Sequence, residues 1–191
     1  GGCVFVAAVK SSGSLWIASA RDGALVEMSK NGSNNVYSAA GHYALICRLQ
    51  EEWAGGWRSK YEELIAWLED NGASLGCELV TRCLGDHAAV PATDHLVVNA
   101  VLNRATLQPC PPTALLELKR AFRLVIPGMF MFERSVDFLG IFDAHQWDAG
   151  ATWEGVSRAM AAAAWRTVPM AYAELHSQVL EGFVCSMVPR S

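Results

Sequence analysis

The sequence predicts an α+β domain with antiparallel sheets flanked by helices, and three observations predict it. Short apolar runs separated by turn residues open the chain, helical spacing of apolar residues takes over near Val36, and the later segments mix strands and helices without regular strand-helix alternation. Cys3 to Val9, Ser14 to Ala20 and Ala24 to Met28 are strand-like, and Asp22-Gly23 is a hairpin sequence between the last two, so the three read as an antiparallel meander. After the Gly- and Asn-rich bend Asn31 to Asn35, a broad helical stripe holds Val36, Tyr37, Ala40, Tyr43, Ala44, Ile46, Cys47 and Leu49. Tyr61, Leu64, Ile65 and Leu68 mark a second helix that Asn71-Gly72 ends. Strands are expected around Gly76 to Leu84 and His95 to Leu102, parted by a polar loop with Gly85-Asp86-His87 and Pro91. Thr113 is placed to cap a helix reaching about Phe122. Met129 to Phe132 reads as a buried strand, Ser135 to Ala144 and Trp153 to Ala164 as helices, and Gln178 to Val188 as a closing strand. No internal repeat or low-complexity linker interrupts this order, so residues 1–191 read as one domain. Its abrupt start and stop within strand-like runs suggest a piece of a longer multidomain protein.

With 191 residues, 52% of them hydrophobic, and a mean hydropathy of +0.19, the chain can bury a sizeable core without disulfides or metals. A formal net charge of -4 and a pI near 5.7 give no global attraction to a polyanion, so contact with nucleic acid needs a local basic patch or a neighbouring domain. The six cysteines form no CxxC pair and no cluster with histidines at zinc-ligand spacing, and read as buried thiols of a reducing compartment. Gly1 leads straight into a strand-like run rather than a secretory signal, and stretches such as Met160 to Trp165 are too short to span a bilayer. The expectation is a soluble intracellular protein with no membrane partner, nuclear or cytoplasmic, with an organelle equally compatible.

Lys10 ends the first strand and is followed by Ser11-Ser12-Gly13-Ser14, which puts a long amine beside a turn whose amides can approach a phosphate. A neutral lysine amine attacks phosphorus. By itself a Lys-x-x-Gly match is unspecific, and a solvated strand-end charge is its commoner meaning. Ser29-Lys30-Asn31-Gly32-Ser33 lies one hairpin further on, where the third strand returns it towards the same end of the sheet as Lys10; a pair of ordinary turns explains these residues equally well. Glu78 and Glu181 each interrupt an apolar strand-like run. A buried carboxylate needs a partner or a cation, and magnesium on ATP phosphates uses one or two carboxylates; the alternative is an outward-facing residue of an alternating strand. Asp86-His87 reads as a hydrogen-bonded pair or as turn chemistry. Arg48, Arg58 and Lys60 among Trp53 and Trp57 suit either RNA stacking or, the favoured reading, a helix surface with anchoring tryptophans.

Taken in order, these segments resemble the adenylyltransferase domain of RNA ligases, specifically plant and green-algal tRNA ligases and their bacteriophage relatives. Lys10-Ser11-Ser12-Gly13-Ser14-Leu15 is similar to the nucleophile motif and Ser29-Lys30-Asn31-Gly32-Ser33 to the second lysine motif. Glu78-Leu79-Val80-Thr81, followed by Leu84-Gly85-Asp86-His87, resembles the plant form of the third, and Leu180-Glu181-Gly182-Phe183-Val184 the fourth. The resemblance implies the covalent nucleotidyltransferase fold of RNA and DNA ligases, unrelated to ATP-grasp, with ATP and Mg2+ as cofactors and RNA, as tRNA exon halves, as substrate. It implies Lys10 as the adenylylated nucleophile, Gly13, Ser14, Lys30 and Glu78 on the nucleotide, and Glu181 on the metal. In plant-type enzymes a kinase and a cyclic phosphodiesterase are covalently linked, and both would lie outside this chain. Ser12 stands where the family carries an acidic or amide residue, and neither the paired-lysine motif after the fourth nor the arginine before the nucleophile occurs within the 191 residues. These departures motivate a second reading, a catalytically inactive RNA- or partner-binding domain that keeps the ligase fold; a third is another covalent nucleotidyltransferase, such as a DNA ligase or a capping guanylyltransferase.

Overall fold

The tightest local signal sits at Asp22-Gly23, whose positive φ angles of 53° and 72° give a primed two-residue turn. In the computed structural model, which describes residues 2–84, 91, 93–144, 153–169 and 181–189, this turn joins β2 (Ser14–Arg21) to β3 (Ala24–Ser29), with Arg21 opposite Ala24. β2 also pairs antiparallel with β4 (Ala73–Val80), and β4 with β5 (His95–Asn103), giving a sheet of order β3-β2-β4-β5. Alternation along β2 buries Trp16, Ala18 and Ala20.

Two helices cover this sheet, α1 (Val36–Trp53) and α2 (Trp57–Asp70), joined by a 3-10 turn at Ala54–Gly56. Trp16 is fully buried and its Nε1 donates to the Ser38 carbonyl at 3.1 Å. A Cβ on Gly41 would collide with the Trp16 indole, so a glycine lets the helix approach the ring. The buried face of α1 is Ser38, Gly41, Ala44, Leu45 and Leu49. The expected stripe was therefore partly misplaced: Val36 and Tyr43 are 58% and 68% exposed, because the small residues that admit Trp16 define the inner face. α2 buries Leu64, Ile65 and Leu68 as expected and ends at Asn71, followed by Gly72 at φ 54°. α3 (Thr113–Phe122) begins on Pro112 without a side-chain cap, so Thr113 is its first helical residue rather than its cap. All these elements belong to one compact unit, residues 12–126.

The other unit comprises residues 1–11 and 127–191. Its sheet has the order β7-β6-β1-β8, from β1 (Cys3–Val9), β6 (Met129–Phe132), β7 (Arg166–Val168) and β8 (Phe183–Pro189), and every pairing is antiparallel. Two helices, α4 (Ser135–Ala144) and α5 (Trp153–Ala163), pack on it. Ala7, Val9, Phe130, Phe132, Phe138, Ile141, Val156 and Met160 form the core, and Phe138 touches Phe5, Phe132 and Phe183 at centroid distances of 4.9, 5.6 and 6.0 Å. The first three strands are thus not one meander. β1 belongs to a different sheet from β2 and β3, because its neighbours are apolar strands from the second half of the chain.

The cysteines are unpaired, but Cys77 alone is buried, where desolvation pushes its thiol up; Cys3, Cys83 and Cys185 are exposed, against the expectation of buried thiols. Cys3 opens β1, and Cys185 lies in β8, whose residues are mostly exposed. Among the described residues no helix is long and apolar enough to cross a membrane.

Candidate active site

β1 and β8 run antiparallel with Val9 opposite Phe183, so the chain leaving β1 at Lys10 meets the chain entering β8 at Glu181 and Gly182. The Lys10 N–H donates to the Gly182 carbonyl at 3.0 Å, and the Lys10 ammonium donates to the Glu181 carboxylate. Their side chains are 52% and 31% exposed, so solutes can reach the pair. Gly182 has a φ of 135°, a backbone setting that side-chain-bearing residues rarely adopt. Glu181 therefore precedes β8 instead of lying within it as expected, and the glycine turns the backbone so that the carboxylate meets the lysine. Next to Lys10, the Ser11 hydroxyl is buried and has no hydrogen-bond partner among the described residues.

In the other unit, the β2–β3 pairing sets Trp16 opposite Ser29, so the entry to β2 and the exit from β3 border one pocket of about 270 Å3. Gly13, Ser14, Leu15, Ser29, Lys30 and Asn31 line it together with Tyr37. Lys30 is the charged residue of this lining, the others offer hydroxyl and amide donors, and no carboxylate lines it among the described residues. Such a set of donors around one ammonium suits an anion.

Asn35 holds this corner together. As the N-cap of α1 its Oδ1 accepts from the amides of Tyr37 and Ser38 at 3.0 and 3.1 Å, and Ser38 Oγ accepts from the Asn35 N–H at 3.0 Å. Its Nδ2 donates to Ser29 Oγ at 2.9 Å and to the Gly32 carbonyl at 2.8 Å, which ties the Lys30 turn to the helix start. Gly13 lies against β4: a Cβ there would stand 2.5 Å from the Leu79 carbonyl oxygen and 2.8 Å from Glu78 Cγ. Glu78, opposite Leu15 in the β2–β4 register, is half-buried between the buried Cys77 and Leu79.

Of the residues expected from sequence, Lys10 and Glu181 are therefore brought together in one unit, and Gly13, Ser14 and Lys30 in the other. Glu78 lies beside Gly13 without lining the pocket. The second lysine motif follows β3, whereas Lys10 follows β1, so the two do not share one sheet as expected. Gly85, Asp86 and His87 lie outside the described residues. Asn31 and Tyr37 line the pocket and Asn35 positions it, none of which the sequence reading assigned to the site; an Asn-x-x-Ser cap at the helix start was the available signal.

No protein-family model matches the chain. The tRNA ligase 1 of Arabidopsis thaliana is 31% identical over 187 residues, which is 94% of this chain and 17% of that protein, so the chain spans about a sixth of the curated relative it matches. Among solved structures, a lysine variant of the Naegleria gruberi RNA ligase with ATP and Mn superimposes with a TM-score of 0.51 at 15% identity, over 69% of this chain and 37% of that one. The same ligase with PPi gives a TM-score of 0.51 at 15% identity over 69% and 38%. At that identity the structural likeness establishes the fold, an RNA ligase nucleotidyltransferase domain with helices on antiparallel sheets. Sequence and fold together support an RNA ligase domain, similar in sequence to one segment of a plant tRNA ligase.

Proposed function

We propose that the chain is the nucleotidyltransferase domain of an ATP-dependent RNA ligase and that Lys10 forms a lysyl-AMP intermediate. The ion pair between Lys10 and Glu181 carries the reading: a lysine amine and a carboxylate, far apart in sequence, are held side by side at one end of a sheet. Lys10 Nζ forms a bond to the α-phosphorus of ATP as the bond from that phosphorus to pyrophosphate breaks. The lysine gives up its proton to solvent beforehand, since only the neutral amine attacks. Its pairing with Glu181 must therefore part first. Gly13, Ser14 and Lys30 hold the nucleotide's phosphates through amides, hydroxyl and ammonium, and Glu78 contacts the nucleotide beside Gly13. AMP then passes to the 5'-phosphate of an RNA, and a 3'-hydroxyl of a second RNA displaces it.

Glu181 is the residue to hold Mg2+. Its carboxylate is partly exposed, and Mg2+ on ATP is bound through one or two carboxylates with substrate phosphates and water rather than by a protein cage, so the residue present fits. Bound there, the ion supplies charge neutralisation of the phosphates. The similarity to a plant tRNA ligase supports tRNA exon halves as the RNA substrates, and its 17% coverage of that protein supports further domains, including the kinase and cyclic phosphodiesterase, outside this sequence. The six unpaired cysteines are consistent with an intracellular location, nuclear, cytoplasmic or organellar.

The test is intact-protein mass after incubation with ATP and Mg2+. The wild-type chain should gain one AMP, Lys10→Ala none, and Glu181→Gln little or none. An adduct that persists in Lys10→Ala would refute the nucleophile, and RNA binding without any adduct would leave a non-catalytic binding domain.

A further inference from the structure

Outside the pocket just described, α1 and α2 border a groove of about 540 Å3 whose chemistry comes from His42, Tyr43, Trp57, Arg58, Tyr61 and Glu62. Tyr43 is 68% exposed and lines the groove, so its ring contributes little to the core. The Arg58 guanidinium lies 4.7 Å from the Trp57 ring centroid and makes no ion pair or hydrogen bond among the described residues, which leaves its forked donors available. His42 Nδ1 is 2.5 Å from Glu27 Oε1, and the ring meets Tyr61 edge-on at 5.8 Å. The carboxylate on Nδ1 orients the ring, and in the tautomer with the proton on Nδ1 the Nε2 is an acceptor.

Flat aromatic faces, a guanidinium with unused donors and an acceptor in a fixed orientation are what a nucleotide needs: stacking for the base, a charge for the phosphate and a partner for the base edge. The volume falls in the range of small-ligand sites. An apolar peptide helix would use neither the guanidinium nor the fixed histidine acceptor. His42 Nε2 and Glu62 both accept, so bases with an exocyclic amino group fit better than uracil.

We propose that the groove between α1 and α2 binds one unpaired nucleotide of the RNA being joined, its base stacked on Tyr43 and its phosphate on Arg58. This rests on the chain acting on RNA, as proposed above. It places an RNA contact in a pocket that shares no lining residue with that of Gly13, Ser14 and Lys30, on a protein whose net charge offers RNA no general attraction.

The test is fluorescence anisotropy of the 191-residue chain with short single-stranded oligo(A) and oligo(U), alongside the adduct assay with ATP and Mg2+. Tyr43→Ala and Arg58→Ala should each weaken oligo(A) binding about tenfold, Tyr43→Phe should retain it, oligo(A) should bind more tightly than oligo(U), and AMP addition should not change in any variant. Unchanged affinity in both alanine variants overturns the proposal. So does displacement of the RNA by AMP, which lacks a pyrophosphate leaving group and cannot modify Lys10; that would make the groove a mononucleotide site. Absence of RNA binding by a wild-type chain that still forms its adduct overturns the groove and spares the nucleotidyl transfer. The expected loss in the variants, with no adduct in the wild type, supports the groove and refutes the transfer.

Discussion

Replacing Gly13 by alanine sets two effects of opposite sign against each other. The backbone at Gly13 has no positive φ, so alanine can adopt it, and the reduced freedom of the unfolded chain alone would stabilise the fold by about 0.4–1 kcal/mol. Against this, the new Cβ meets the Leu79 carbonyl oxygen at 2.5 Å and Glu78 Cγ at 2.8 Å. The glutamate can swing away, whereas the carbonyl belongs to a strand held by β2 on one side and β5 on the other, and relief requires the start of β2 to lift from β4. Overpacking of this kind costs about 1–3 kcal/mol, so the net loss is about 1–2 kcal/mol. For a chain of this size that is a Tm lowered by about 2–8 °C. Differential scanning calorimetry of wild type, Gly13→Ala, Glu78→Ala and the double variant tests the reasoning. If the carbonyl is the obstacle, removing Glu78 Cγ restores only part of the loss. A Gly13→Ala protein more stable than wild type, or one fully restored by Glu78→Ala, would refute the claim that backbone meets backbone here. Displacement of Gly13 should also reduce the AMP adduct without affecting Lys10 itself.

Two further outcomes follow from hydrogen bonds and burial. Asn35→Ala removes the α1 cap and both donors to the Lys30 turn, so it should cost about 1–2 kcal/mol in urea denaturation and weaken ATP binding by calorimetry. Asn35→Asp keeps the cap acceptor and should recover much of the stability but not the anchoring of Gly32. Burial raises the Glu27 carboxyl above its ordinary 4.5, opposed in part by His42, so the folded state holds that proton more tightly than the unfolded chain. The corresponding stability is fully present below pH 4.5 and is lost as pH rises through the folded value. The stability of wild type relative to Glu27→Gln, from urea midpoints, should therefore fall as pH rises above the ordinary 4.5, and a rise would contradict the burial.

Strands and helices with long apolar periodicity, such as β2 and α2, were legible because their buried positions repeat every two residues or on one helical face. The partner of β1 was not, since a seven-residue apolar run fits any sheet, and its true neighbours begin more than a hundred residues later. β7, at three residues, is too short to carry a period. The inner face of α1 was missed because Ser38 and Gly41, not the larger apolar residues, face Trp16. At the site, Lys10 and Glu181 were singled out in separate motifs but nothing in the sequence set them side by side, while Tyr37 lies outside every motif and became visible only through the pocket that it lines.

Lys10 and Glu181 stand 171 residues apart in sequence, and that distance has a meaning for the protein's birth on the ribosome. The amine leaves the ribosome well before the strand that brings its carboxylate, which follows only after α1 to α5 have been made. Long-range β pairing of this kind closes late in folding. An interrupted or prematurely ended chain therefore displays the lysine without its acid, and β1 without the strand that borders it on that side. The arrangement makes the ion pair a mark of a chain in which both β1 and β8 have been made, which fragments ending before β8 lack.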